Sequence, residues 1–187
     1  KGSGTRGLFE PDGEIFPDLK LDGKRILNHL RQQAYLTSGT RITFVDAREK
    51  EKQTYSFYFE GGLASYIPYL IKGRPAKHEN VFSARGEKEG LLTEIAFQYT
   101  QEFEVAEESF ANNIYTPEGG THLTGFRAAL TRTLNDYAKK NNFLKGEEAL
   151  TGEDVREGLT VVVAVKLREP QFEGQTKAKL GNPEAKN

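Results

Sequence analysis

Leu159-Thr160-Val161-Val162-Val163-Ala164-Val165-Lys166-Leu167 is followed, past Pro170, by Gln171-Phe172-Glu173-Gly174-Gln175-Thr176-Lys177-Ala178-Lys179-Leu180-Gly181-Asn182. The first run is apolar and β-branched and reads as a buried strand. The second leaves the strand end with an amide, a hydroxyl and an ammonium in succession at Gln175, Thr176 and Lys177, a donor set that suits phosphate oxygens. Taken alone, those three side chains also fit an ordinary solvated loop.

Working outward, Asp154 to Glu157 reads as a short helical turn entering the strand. Before it, Leu123, Phe126, Leu130, Leu134 and Tyr137 recur at helical spacing against Arg127, Arg132, Asp136 and Lys139. That stripe predicts a helix packed across a sheet. Thr121 stands where an N-cap belongs, after the Asn112 to Gly120 loop. Val81-Phe82, Leu91 to Tyr99 and Phe103 to Phe110 are further strands, with Gly86 and Gly90 bracketing a charged turn. Nearer the start, Asp22 caps a helix of about four turns carrying Ile26, Leu27, Leu30 and Ala34 and stopped by Gly39. Ile42, Phe44 and Val45 pair through a charged turn with Tyr55, Phe57 and Phe59 as a hairpin. Leu63, Tyr66, Ile67, Leu70 and Ile71 mark a short helix ending near Gly73 and Pro75. Thr5 to Phe9, stopped by Pro11-Asp12-Gly13, reads as the last strand of something.

The chain has 187 residues, 36% hydrophobic and 28% charged, the composition of a soluble globular protein. With 26 basic against 27 acidic residues, no overall field favours nucleic acid or an anionic surface. The absence of Cys excludes disulfides, thiolate nucleophiles and sulfur-bound zinc, and fits a reducing compartment. No window reaches the roughly 18 apolar residues of a membrane span, and no leader pattern opens the chain. Cytoplasm is the expected location, with no membrane partner. The chain opens at Lys1 and contains no Met, so it is read as a piece of a longer protein.

His29, His78 and His122 lie too far apart for a metal-ligand or triad pattern, so structural or surface roles are expected and no metal site is assigned. No pair of carboxylates stands in an apolar neighbourhood that would split its pKa values. The Gly119-Gly120 pair before a helix can offer backbone N–H groups to an anion, or can be a plain entry into the helix. Arg127 and Arg132, with Thr131 and Asn135, could touch a nucleic-acid backbone or form a solvated face of mixed charge.

Taken in order, these pieces do more together. They are Thr116-Pro117-Glu118-Gly119-Gly120-Thr121-His122-Leu123, Gly125-Phe126-Arg127, Ala129 to Tyr137, Gly152 to Leu159, Pro170 to Lys177 and Lys179-Leu180-Gly181-Asn182. The series closely resembles the ATPase subunit of bacterial type IIA DNA topoisomerases, of the gyrase B kind. Gly4-Thr5, Phe9, Pro11-Asp12, Glu14-Ile15-Phe16 and Leu30-Arg31 to Ala34-Tyr35-Leu36 extend the likeness over the whole chain.

The resemblance implies an α/β (α+β, mixed-sheet) fold: residues 1–16 as the end of a GHKL-type ATPase domain and residues 17–187 as a transducer domain with a left-handed βαβ crossover. It implies that Gln175 and Lys177, in the 175–177 loop, contact the γ-phosphate of ATP held by the ATPase domain. It implies that Arg127 faces captured double-stranded DNA, with Lys139 and Lys140 as further candidates. ATP and Mg2+ would be the cofactors. A second copy of the same protein and the DNA-cleaving gyrase A protein would be the partners, at the bacterial nucleoid. The whole enzyme would be an ATP-hydrolysing topoisomerase, while this stretch alone lacks catalytic residues and is expected to be inactive. Gly7 departs from the family, which carries a bulkier residue there. The alternatives are the topoisomerase IV homologue, which shares the loop, and a non-catalytic binding or scaffold module of the same fold. Thr116-Pro117-Glu118 and Leu123 favour gyrase.

Overall fold

The computed structural model describes residues 3–18, 20–145 and 148–187. Helix α1 spans Gly23–Leu36, and the Asp22 carboxylate accepts from the Lys24 and Arg25 amides, the capping read from sequence. Strands β1 (Ile42–Asp46) and β2 (Gln53–Phe57) pair antiparallel, Ile42 opposite Phe57, as a separate two-stranded sheet. Helix α2 covers Leu63–Leu70.

Strands β3 (Phe82–Lys88) and β4 (Leu91–Tyr99) form a hairpin in which Gly86 pairs with Thr93. The expected turn from Gly86 to Gly90 therefore shrinks to Glu89-Gly90. Both residues have positive φ, 53° and 79°, the two-residue turn whose twist matches that of the strands. Strand β5 runs Ala106–Ala111, and Asn112-Asn113, again at positive φ, turns it into the two-residue β6 (Ile114–Tyr115), which lies inside the stretch expected to be a loop. Helix α3 is Thr121–Lys140, α4 is Gly152–Arg156, and β7 is Leu159–Lys166. A 3-10 turn closes the chain at Pro183–Lys186.

The main sheet has the order β3-β4-β7-β5-β6. β4 lies antiparallel to β7, and β5 lies parallel to it with α3 and α4 in the connection, which makes the sheet mixed. The expected α/β character holds. β7 is central and is buried along all but its last residue. Val162 and Ala164 face α1 and α2, packing with Tyr35, Tyr66, Ile67 and Phe110. Leu159, Val161 and Val163 face α3, packing on Leu123 and Phe126. Two apolar faces on one strand explain the unbroken hydrophobic run, each fully buried side chain contributing about 1.5–3 kcal/mol relative to exposure.

Three expectations need correction. Residues 3–10 form no strand, and Leu8 and Phe9 are 92% and 86% exposed, because no strand among the described residues lies alongside to take their hydrogen bonds. β5 begins at Ala106 rather than Phe103: the preceding stretch wraps the start of β7, where the Phe103 carbonyl accepts from the Gly158 amide. The apolar stripe of α3 does not extend to Tyr137, which is 58% exposed, because a helix of 20 residues, about 30 Å, outruns the sheet beneath it.

Candidate functional site: a clamped hairpin and the helix it rests on

The segment after β7 folds back on itself. Phe172 and Leu180 form an antiparallel bridge, the Glu173 amide donates to the Lys179 carbonyl at 2.8 Å, and the Gly181 amide donates to the Gln171 carbonyl at 2.7 Å. The reversal is a turn closed by the Lys177 amide donating to the Gly174 carbonyl at 3.3 Å. Gly174 supplies φ +83°, while Lys177 holds φ +56°, a left-handed conformation uncommon for a side-chain-bearing residue. Asn182, 1% exposed, locks the base: its Oδ1 accepts from the Gln171 amide at 2.6 Å and its Nδ2 donates to the Glu169 carbonyl at 3.0 Å. Lys179 and Glu173 pair across the stem at 3.0 Å. Above this base Gln175, Thr176 and Lys177 are exposed, with the Lys177 Nζ 5.8 Å from the Phe172 ring centroid.

The hairpin rests on the entry to α3. The Leu180 amide donates to the Gly119 carbonyl, its carbonyl accepts from the Thr121 amide at 3.0 Å, and the Glu118 amide donates to the Ala178 carbonyl at 3.0 Å. The Glu118 and Thr121 amides are thus spent on the hairpin and the Gly119 amide on a turn bond to the Thr116 carbonyl, so the Gly pair serves as the seat of the hairpin. Nor is Thr121 the N-cap. Gly120 takes that position at φ +139°, and the Thr121 hydroxyl is buried without a partner. Gly120 is required by contact: a Cβ there would sit 2.3 Å from the Leu180 carbonyl oxygen.

Beneath the turn, Ser109, Thr116 and His122 form a buried polar chain, Ser109 Oγ to Thr116 Oγ1 at 2.7 Å and Thr116 Oγ1 to His122 Nε2 at 3.4 Å. His122 is 2% exposed, and burial pushes its pKa down to about 4, so the ring is neutral and structural. His78 pins the end of β4, its Nε2 accepting from the Tyr99 amide at 3.1 Å. His29 is exposed.

Arg127 lies about two turns into α3, and the residue it meets escaped sequence reading. Its Nε donates to Glu107 Oε1 at 3.0 Å and its Nη2 to the second carboxylate oxygen, a two-point pair across 20 residues. Lys139 and Lys140 are exposed at the far end of the helix, about 18 Å further along the axis, and are not brought beside Arg127. One helix therefore joins the base of the Gln175–Lys177 hairpin, the Arg127 position and the two lysines. Among the described residues no group of three His, Asp or Glu side chains is arranged to hold a metal ion, and no helix is long and apolar enough to cross a membrane.

The fold has counterparts among known proteins. A curated DNA gyrase B protein from Halalkalibacterium halodurans is 49% identical over 186 residues, 98% of this chain and 29% of the relative. The chain thus spans under a third of that protein's length. The crystal structure of the 43K ATPase domain of Thermus thermophilus gyrase B, in complex with an aminocoumarin, superposes with a TM-score of 0.82 at 41% identity, covering 95% of this chain and 48% of that one. A topoisomerase IV ATP-binding domain from Francisella tularensis gives a TM-score of 0.77 at 29% identity, covering 95% of this chain and 47% of that one. The family model described as DNA gyrase B matches residues 62–187, from the entry to α2 through α3, β7 and the whole hairpin, and on that match the chain belongs to the DNA gyrase B family.

Proposed function

We propose that this chain is the transducer part of an ATP-dependent type II DNA topoisomerase subunit. In this reading residues 1–16 are the tail of a GHKL-type ATPase domain and residues 17–187 the transducer. The intact protein couples ATP binding and hydrolysis to closure of a dimer gate, to passage of double-stranded DNA and, with a DNA-cleaving partner, to negative supercoiling. Gyrase is favoured over topoisomerase IV by the DNA gyrase B family model over residues 62–187 and by curated gyrase B relatives 45% and 49% identical over 98% of the chain.

One observation carries the reading: a hairpin whose base is fixed to the sheet and to α3 while its tip offers Gln175 and Lys177 to solvent. An amide and an ammonium so held suit the oxygens of a terminal phosphate. Gln175 and Lys177 would hold the γ-phosphate of ATP bound by the ATPase domain, and the Mg2+ that accompanies it would be held by residues outside this stretch. A contact present with ATP and absent with ADP stabilises one docking of the two domains over the other, so hydrolysis shifts the gate. Arg127, Lys139 and Lys140 face the captured duplex along α3, and this stretch by itself is inactive.

The test uses the intact protein with its DNA-cleaving partner. The wild type introduces negative supercoils into relaxed circular DNA when given ATP, and Lys177→Ala abolishes both ATP hydrolysis and supercoiling while the circular dichroism spectrum stays that of the wild type. Wild-type hydrolysis by the variant would overturn the sensor role, and relaxation or decatenation without supercoiling would assign the chain to topoisomerase IV.

A further inference from the structure

Arg127 does not present a free guanidinium. Its Nε and Nη2 both reach the Glu107 carboxylate, the two-point geometry in which arginine binds planar anions. Glu107 sits on β5 with its side chain 11% exposed, whereas the side chain of Arg127 is 41% exposed. A second cation stands behind the pair: Arg156 Nε, on α4, lies 4.0 Å from Glu107 Oε1. Glu107, Arg127 and the hairpin's Lys179 also line one cleft of about 210 Å³. Three facts about the pair matter together. The Nε–Nη2 edge of the guanidinium is occupied, the occupying group is an anion as a phosphate is, and that group has another cation within reach.

We propose that Glu107 is a positioning residue that withholds Arg127 from DNA, filling the guanidinium fork as an internal stand-in for a backbone phosphate. Two-point contact of that edge with the duplex then requires a phosphate to displace the carboxylate, which Arg156 takes up. The inference rests on the reading of Arg127 as DNA-facing and adds a competitor to it. Because the cleft reaches Lys179, the exchange takes place beside the base of the nucleotide-sensing hairpin, where freeing Arg127 alters the field around the Lys179–Glu173 pair.

The experiment measures ATP hydrolysis by the intact protein, with its DNA-cleaving partner, against linear duplex concentration at several salt concentrations. Glu107→Gln keeps the shape of the side chain and removes its charge. It lowers the DNA concentration giving half-maximal stimulation by about three- to fivefold, the upper end of the range for a partly exposed ion pair. It also steepens the log–log salt dependence by about one, as an added phosphate contact does. Glu107→Asp retains the wild-type slope. Arg156→Gln, which leaves the released carboxylate without its second cation, shifts half-stimulation to higher DNA. In an Arg127→Gln background, Glu107→Gln moves neither quantity. A weaker DNA response from Glu107→Gln, or an equal shift with and without Arg127, overturns the proposal. If Arg127→Gln alone leaves DNA stimulation at wild-type level, the DNA-facing reading fails. If Arg127→Gln reduces it while Glu107→Gln changes nothing, only the competitor role fails.

Discussion

A side chain at position 120 has nowhere to go. The Leu180 backbone fills the space a Cβ would need, at 2.3 Å from its oxygen and 2.6 Å from its nitrogen, and φ of +139° is itself strained for any L residue with a side chain. Neither obstacle can rotate away, since both are backbone atoms at the base of the hairpin. Gly120→Ala is therefore expected to cost about 3 kcal/mol or more, in the upper range for single substitutions. Urea unfolding measures this, and a midpoint within error of the wild type would show that the hairpin does not press on the helix entry. The Gly pair was legible as an entry into a helix or a place for an anion, but its reason was not. Sixty residues separate Gly120 from Leu180, and only the packed fold makes them neighbours. Arg127 and Glu107 teach the same lesson. Each was visible as a charge, while the pairing depends on β5 lying under α3, which no local pattern encodes.

At the level of elements, the aromatic stack of Tyr35 on Phe59 and Tyr66 joins the helices on the other face to each other, and a polar contact ties them to the sheet. Tyr66 of α2 donates its hydroxyl to Glu108 Oε2 of β5 at 2.7 Å, and Gln32 of α1 donates to the same oxygen at 3.4 Å. Burial pushes the Glu108 carboxyl pKa up, and the Tyr66 and Gln32 donors draw it part of the way back. The same burial, with Glu108 beside it, raises the Tyr66 hydroxyl pKa. A raised carboxyl pKa means that the folded state holds its proton longer than the unfolded chain. The associated stability is complete below the ordinary glutamate pKa and is lost as pH rises through the folded value. Glu108→Gln removes that titration while keeping an acceptor for Tyr66. The stability of the variant relative to wild type is thus expected to increase as pH rises above 4.5, the ordinary glutamate value. A difference that stays flat, or falls, with pH across that range would show that Glu108 ionises freely. Element identity was largely legible here: the Asp22 cap, both early helices and the β1–β2 hairpin follow from local chemistry. Boundaries failed where tertiary contact decides them, at Phe103, which wraps Gly158, and at Tyr137, where α3 leaves its sheet.

On the scale of the whole molecule, α3 is the member through which distant events can meet, since the hairpin is bonded to its first turn and the candidate DNA-facing cations follow along its length. The hairpin divides sharply into a base and a tip. The Glu173 and Gly181 amides are bonded within the stem and Leu180 is fully buried, whereas Gln175 and Thr176 are exposed at the turn. Opening the base requires breaking contacts to the α3 entry; opening the tip requires almost nothing. Amide hydrogen exchange on the intact protein should therefore resolve two behaviours in one short segment. The amides of Glu173, Leu180 and Gly181 exchange slowly with no nucleotide, with ADP and with a non-hydrolysable ATP analogue. The amides of residues 175 and 176 exchange fast in the first two states and slow by about tenfold or more with the analogue, because a γ-phosphate contact worth about 1.4 kcal/mol already suffices for that factor. Equal protection by ADP and by the analogue would mean that the tip reads domain closure in general rather than the third phosphate. A base that exchanged as fast as the tip would instead mean that the hairpin is not the rigid arm that lets a contact at Lys177 reach α3.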